Sequence, residues 1–463
     1  MILRRILIAN RGEIAARILR TCRQLGIEAV LGASDADRDS VPARLADSVV
    51  RLGPAAPGDS YLSVDAVVAA ALAAGVDAIH PGYGFLSENP GLARACEAAG
   101  IVFIGPTVGQ LEAVGDKLTA RQHATAAGLP VAEGGEVAGA AEAGKLAASI
   151  GFPVLIKAVG GGGGRGLRPV SCADALESAV TLAMSEAAAA FGDPRVYLER
   201  YLPSGRHVEV QLLGDGDRVI HLGDRDCSVQ RRYQKLIEEA PAPLLDDDLR
   251  ASIRDAAVAF GSHLNYRGAG TVEFLVDSAR RTFYFLEMNA RIQVEHPVTE
   301  AISGIDVVAE QIWIAEGNPL RQAQDDVALS GHAIECRINA EDWTDGFRPS
   351  PGTISTAVFA AGPGIRVDSH IQPGSAVPPF YDSLLAKLIV SGRDRAEALT
   401  RLRAALARCE IGGVDTTLGL HEKLTASPDF EAGGMDTAFL ERWLHPLAPE
   451  ADMADFHSGD ADG

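Results

Sequence analysis

At 463 residues, 47% hydrophobic and 22% charged, the chain has the makeup of a globular enzyme and the length of about three domains. Its formal net charge of −20 argues against nucleic acid or an anionic membrane surface as the main partner and favours solubility. No apolar run is long enough to span a bilayer, and the opening MILRRILIANRGE has arginines inside its apolar stretch and no signal-peptide cleavage pattern. The six cysteines (Cys22, Cys96, Cys172, Cys227, Cys336, Cys409) are scattered without a Cys-x-x-Cys, which suggests reduced thiols in a cytoplasm-like compartment.

In chain order, residues 4–9 read as a buried strand. Asn10-Arg11-Gly12-Glu13 then turns into a helix with Ile14, Ile18, Cys22 and Leu25 on one face, ended by Gly26. A strand at 27–32 completes a βαβ unit. The pattern recurs with helix 64–74, strand 76–80, helix 91–99 and strand 101–104, which predicts a doubly wound parallel sheet. Asn10–Glu13 is no GxGxxG, so NAD binding is disfavoured. The loop His80–Asn89 sits at a strand end, where such sheets place ligands, and reads equally as a plain tight turn.

Past Asp116-Lys117 the character changes. Ala-rich helices at 138–149 and 174–191 frame a strand at 152–157 that ends in Lys157. Gly160 to Gly164, then Arg165, cannot pack as an element interior and expose bare N–H groups. Between Lys157 and Arg165 the run suits a mobile flap over phosphates better than a plain linker. It is not a Walker A loop. A strand at 196–201 carries Glu199, with Leu202 at its end, and a strand at 206–213 puts His207, Glu209 and Gln211 on one face. The polar run Asp224–Lys235, which contains Cys227 and Tyr233, reads either as a surface loop or as part of a site. Cys227 itself reads as structural, with no His partner evident. A helix is expected over 246–263.

The most informative stretch is Gly270–Val298. Thr271–Val276 and Thr282–Met288 flank a polar turn at 277–281, which predicts a β-hairpin. Period-2 geometry puts Glu287 and Asn289 on one face, within reach of Glu273 across the ladder. Two carboxylates and an amide oxygen make a hard-cation site, suited to Mg²⁺ carrying phosphates. Arg291, Gln293 and Glu295 continue the same alternation between Met288, Ile292 and Val294, so five polar residues share one parity. A third region opens at 331, with His332–Asn339 as a strand whose Arg337 opposes Ile334, Cys336 and Ile338. A strand with Lys387 follows, then a helix over 394–408 with Asp394 and Glu397 at capping-box spacing. The acidic tail after Trp443 reads as disordered.

The pieces ANRGEIAARILR, HPGYGFLSEN, GDK at 115–117, IKAVGGGGGRGLR, RHVEVQ, DRDCSVQRR, EEAPAP, YRGAGTVEFL, EMNARIQVEHPVTE and ECRINAED run nearly the length of the chain. They resemble the biotin carboxylase component of biotin-dependent carboxylases, in the ATP-grasp superfamily. The resemblance implies an α/β and α+β protein. Its parts would be a Rossmann-like N-terminal domain (1–114), an ATP-grasp domain (115–330) with a glycine-rich lid at about 131–203, a C-terminal biotin carboxylase domain (331–446) and the tail 447–463.

By the same resemblance, ATP would contact Lys117, Lys157, Gly163, Gly164, Glu199, Leu202, His207, Tyr233, Glu273 and Glu287. Magnesium or manganese would be held by Glu273, Glu287 and Asn289. Lys235, Arg291, Gln293 and Val294 would bind bicarbonate, Glu295 would be the base and Arg337 would face biotin. The implied reaction is ATP-dependent carboxylation of biotin through carboxyphosphate, the first half-reaction of an acetyl-CoA/acyl-CoA carboxylase of fatty acid biosynthesis. A two-subunit pyruvate carboxylase is the alternative. Expected partners are a biotin carboxyl carrier protein, carboxyltransferase subunits and a second copy in a homodimer, in the cytoplasm. None of Met1, Met184, Met288, Met435 or Met453 flanks a lysine in the way biotinyl domains do, so biotin is expected as a substrate on a separate carrier.

The sequence departs from the family pattern at Tyr233 and Pro42, where His is usual, and at Ala290, where Thr is common. Tyr233 puts nucleotide affinity in question. Two rivals are the large subunit of carbamoyl phosphate synthetase, a tandem duplication where this chain has one copy, and a catalytically silent nucleotide-binding protein, which intact Glu295, Arg291 and Arg337 oppose.

Overall fold

The computed structural model describes residues 2–160 and 166–444. The first strands are β1 (Arg5–Ile8), β2 (Glu28–Ser34), β3 (Ser48–Gly53), β4 (Ala78–His80) and β5 (Val102–Phe103). They form a parallel sheet in the order β3-β2-β1-β4-β5. Alternation along β1 sends Ile6 and Ile8 to one face, against Ile14, Ile18 and Cys22 of helix Gly12–Leu25. It sends Leu7 to the other, against Val67 of helix Val64–Ala74 and Leu92 of helix Pro90–Ala99. Burial on both faces is what a doubly wound sheet requires. Leu25, expected on the apolar face, is exposed, because Gly26 (φ 70) ends the helix before its last turn is covered.

The next four strands, β6 (Gly134–Val137), β7 (Val154–Ala158), β8 (Leu167–Val170) and β9 (Val196–Arg200), form a small antiparallel sheet ordered β6-β9-β7-β8. Helices Ala140–Ile150 and Leu176–Phe191 cover it, and Ala143, Ala147, Ile156, Val180 and Leu198 give it a core of its own.

An eight-stranded antiparallel sheet carries the rest. It contains β10 (Arg206–Asp215), β11 (Val219–Arg231), β12 (Gln234–Ala240), β13 (Arg267–Asp277), β14 (Thr282–Asn289) and β15 (His332–Asn339). Its order is β14-β13-β10-β11-β12-β15, extended by strands Leu384–Gly392 and Ile365–Ser369. The central and C-terminal regions therefore share one sheet, joined where β12 pairs with β15.

Three expectations change. The polar run Asp224–Lys235 is no surface loop: it is the buried half of β11, a two-residue turn at Arg232 and Tyr233 (φ 46 and 68), and the start of β12. The alternation after Asn289 is not strand; β14 ends there, and Glu295 stands at the N-cap of helix His296–Ser303. The capping box at Asp394 is half formed. Asp394 accepts from Glu397 N at 2.8 Å, but Glu397 turns back to Arg393 N instead.

Candidate functional site

Pairing register explains why so many charges converge. Glu287 pairs with Glu273, Glu273 with Glu209, and Glu209 with Arg225, on β14, β13, β10 and β11 in turn. Residues in register share a face, so one row across four strands carries three carboxylates and an arginine. Like charges directly opposite destabilise a sheet unless cations intervene. Arg225, fully buried, meets Glu209 at 2.6 Å and also donates to Gln211, Thr299 and Thr271. Lys235 Nζ, reaching from β12, lies 2.6 Å from Glu209, 2.9 Å from Glu273 and 2.7 Å from Glu295.

Glu295 is buried. Burial alone would raise its pKa, but Lys235 and Arg337 hold it well below the usual carboxylate range. Arg337 bridges Glu238 (2.6 Å) and Glu295 (2.9 Å). Cys227 also touches Glu295, at 3.8 Å, so this thiol borders the site instead of being merely structural. Burial raises its pKa, which keeps it a thiol.

The loop after β14 is fastened from several sides. Arg291 reaches Glu88 at 2.8 Å, Gln293 at 3.0 Å and Asn289 at 2.8 Å. The Gln293 amide donates to Glu273 at 3.1 Å. Fully buried Lys387 donates to the Val294 carbonyl at 2.7 Å and pairs with Glu13 at 3.1 Å, while Tyr83 also donates to Glu13. Glu13 is on the first helix and Lys387 on a C-terminal strand, so Val294 is positioned by both ends of the chain.

Lys235, Glu273, Arg291, Gln293, Val294 and Arg337 line a cavity of about 1050 Å³, and Glu295 is paired with two of them, Lys235 and Arg337. Its lining also includes Lys117, Lys157, Glu199, Leu202 and Tyr233. Lys157 meets Glu199 at 2.5 Å. Burial opposes the charge on Lys157, yet Glu199 holds its pKa above the ordinary lysine value. Lys117 opens helix Lys117–Ala126, capped by Asp116, and burial lowers its pKa. His207 sits with the carboxylate row, Nε2 3.0 Å from Glu273. Gly163, Gly164 and Arg165, and the tail 447–463, lie outside the described residues.

The donor set suits a divalent cation of the Mg²⁺ kind. Glu273 and Glu287 are opposed in register, and among the described residues none donates a hydrogen bond to Glu287. Asn289 now gives its amide nitrogen to Glu273 at 2.9 Å; a half-turn of the terminal torsion brings its oxygen to that side. His207, Glu209 and Glu273 also bring ligand atoms within 4.8 Å of one another, but Lys235 already supplies positive charge there.

Sequence reasoning missed the weight of Arg225, Glu209, Glu88 and Lys387. The available signal was polar residues alternating with apolar ones in RHVEVQ and in the run through Arg225, read there as a possible loop.

The chain is similar to known proteins along most of its length. Residues 2–111 match the family model "Biotin carboxylase, N-terminal domain", and 335–442 match "Biotin carboxylase C-terminal domain". Residues 116–323 match "Carbamoyl-phosphate synthase L chain, ATP binding domain". The chain is 51% identical over 440 residues to a biotin carboxylase of Nostoc sp., covering 94% of this chain and 98% of that one. It is 49% identical to one of the pyruvate carboxylase subunits of Methanothermobacter thermautotrophicus, covering 96% of this chain and 91% of that one. Among solved structures, the biotin carboxylase domain dimer of 2-oxoglutarate carboxylase from Hydrogenobacter thermophilus, in complex with MgADP, ADP and bicarbonate, superposes with a TM-score of 0.93. The identity is 43%, with 97% of this chain and 99% of that one covered.

Proposed function

This chain belongs to the biotin carboxylase family of ATP-grasp ligases, and from that premise we propose how its residues divide the work. The observation that carries the proposal is Glu295, buried and held by both Lys235 and Arg337 beside a cavity large enough for a nucleotide. Lys117 and Lys157 bind the phosphates of ATP. Residues 131–203, whose sheet has its own core, act as the lid. Glu199, Leu202, His207 and Tyr233 line the nucleotide pocket. Glu273, Glu287 and Asn289 hold Mg²⁺ or Mn²⁺, which would offset charge on the phosphates.

Lys235, Arg291, Gln293 and the backbone of Val294 bind bicarbonate. A carboxylate as stabilised as Glu295 is a weak base until the arriving anion draws Lys235 towards itself, which raises the proton affinity of Glu295 as it is needed. Glu295 removes the bicarbonate proton, and the bicarbonate oxygen attacks the γ-phosphorus with loss of ADP. Carboxyphosphate yields CO₂ and phosphate, and the phosphate takes the biotin N1 proton. Protonated Glu295 no longer attracts Arg337, which is free to stabilise the biotin enolate while Glu238 anchors it. The N1 then bonds CO₂.

Biotin is presented by a separate carrier protein, and carboxyltransferase subunits complete the enzyme in a cytoplasm-like compartment. An acyl-CoA acceptor is one reading. A 2-oxo acid acceptor is the second, favoured by the pyruvate and 2-oxoglutarate carboxylase relatives. The dimer of the Hydrogenobacter protein supports a homodimer. Purified protein should cleave ATP only with bicarbonate and carboxylate free biotin; bicarbonate-independent cleavage, or none, would overturn the reading.

A further inference from the structure

Behind Arg337 lies a pair of carboxylates, of which the mechanism above uses only Glu238, as an anchor for Arg337. Glu238 on β12 and Glu335 on β15 are direct cross-strand partners, and both are fully buried. Glu238 accepts from Arg337 at 2.6 Å through one oxygen, and its other oxygen has no partner among the described residues. Neither oxygen of Glu335 has one. Glu335 shares a sheet face with Ala333 and its neighbour Ile389, which pack against Val298 and Ile302 of helix His296–Ser303.

The charged groups facing Glu335 can be named element by element. Glu238 faces it from β12, Arg337 from its own strand, Lys387 from strand Leu384–Gly392, and Glu295 from the start of the covering helix. His296 is held neutral by burial beside Lys387 and Arg17. Lys387 is matched by Glu13 and bonded to Val294. Arg337 is thus shared by Glu238, Glu295 and Glu335; Lys235 also faces Glu238 and pairs with Glu295, and Lys387 faces Glu335 without bonding it. Two adjacent buried carboxylates sharing one part of a cation cannot both ionise at ordinary cost.

We infer that Glu238 and Glu335 hold one proton between them, and that Glu335, carrying it, is a positioning residue that limits how tightly Arg337 is gripped from behind. Glu238 takes the negative charge because it has the arginine bond. Burial pushes both carboxyls up, Glu238 to about 7 despite Arg337, and Glu335 well above the usual carboxylate range despite Lys387. Loss of the shared proton would add an anion behind Arg337 and hold the guanidinium away from biotin. That consequence rests on the role of Arg337 proposed above; the shared proton does not.

The test uses the whole chain and its Glu335→Gln variant, which keeps the shape of a neutral acid. The infrared spectrum of the unliganded wild type should show a protonated carboxyl band at neutral pH that disappears on alkaline titration and is missing from the variant. Carboxybiotin formed per ATP cleaved should fall on the alkaline side in the wild type, approaching about tenfold per pH unit. In the variant that limb should vanish, with neutral activity retained to within about twofold. A wild-type spectrum without the band would overturn the inference, as would an unchanged alkaline limb in the variant. A loss beyond about tenfold at neutral pH would also overturn it, because an ionised Glu335 would then be required. No carboxybiotin from the wild type at any pH, with the band present, would overturn the function reading and leave the shared proton standing.

Discussion

Arg337 Nη2 lies 2.9 Å from Glu295 Oε2, so the group proposed to face biotin and the group proposed to receive the bicarbonate proton neutralise each other. Their substitutions should fail differently. Glu295→Gln removes the base while keeping its shape, and should lower bicarbonate-dependent ATP cleavage and carboxybiotin together by about 10²–10⁴-fold. Arg337→Ala should retain much of the ATP cleavage and lose carboxybiotin. Phosphate release and ¹⁴C-carboxybiotin measured side by side decide it: normal turnover in the first variant, or both activities intact in the second, sinks the assignment.

Lys157, proposed above as a phosphate contact, is the partner of Glu199 at 2.5 Å. Lys157→Gln should raise the KM for ATP about tenfold or more, on the scale of a lost charge-assisted hydrogen bond to a charged group. A modest fall in Tm should accompany it, because among the described residues Glu199 keeps only Tyr197 at 3.0 Å and Arg121 at 3.8 Å. An unchanged KM would show that the phosphates lie elsewhere.

Arg225 is not among the residues lining the cavity, yet with Lys235 it supplies the counter-charge that allows Glu209 to be buried. Arg225→Ala should destabilise the fold by about 3–5 kcal/mol, the usual result of leaving one member of a buried pair alone. Arg225→Lys should recover part of this and not all, since one ammonium cannot reach Glu209, Gln211, Thr299 and Thr271 in the same planar arrangement. Urea unfolding of the three proteins reads the effect directly, and an Ala variant as stable as the wild type would contradict it.

The pH dependence of stability has a definite sign. The folded-state pKa of Glu295 is depressed, so its contribution is present above the unfolded value of about 4.5 and is lost as pH falls below it. Glu238 acts oppositely. Its folded pKa, near 7, lies above the unfolded value, so stability is lost as pH rises from about 4.5 towards 7. The urea midpoint should therefore drop on the acid side, and in Glu295→Gln that drop should be shallower by about one proton's slope, roughly 1.4 kcal/mol per pH unit. Identical acid slopes would mean that Glu295 is not ionised in the folded protein.

Tyr233 lines the cavity, and burial pushes its phenol up to about 12, so it stays neutral across the working range. Its backbone is in the left-handed region (φ 68), which His tolerates. Tyr233→His should fold normally and give ATP an affinity that strengthens below about pH 6.5, as the imidazole gains charge. ATP titrations at two pH values that move the variant and the wild type alike would reject this.

The sequence by itself determined most of the elements and which polar side chains share a strand face. Period-2 alternation in Thr271–Asn289 put Glu273, Glu287 and Asn289 on one face, and the βαβ rhythm of the first hundred residues required a parallel sheet. Local periodicity suffices where neighbours in sequence share a face. It could not decide what met that face from elsewhere. Arg225 sits in a polar run that reads like a loop, and only pairing of β10 with both β11 and β13 turns it into the buried partner of Glu209. Lys235 touches Glu209, Glu273 and Glu295 across three separate segments, and Val294 is fixed by Lys387 from 93 residues away. The residues after Asn289 leave the strand, so the parity that grouped Arg291, Gln293 and Glu295 is not what brings them together. Their side chains converge because Glu88, Asn289, Glu273, Lys235 and Arg337 draw them in. Sequence spacing specifies which side chains are available on a face, whereas long-range register and buried charge balance decide which of them meet.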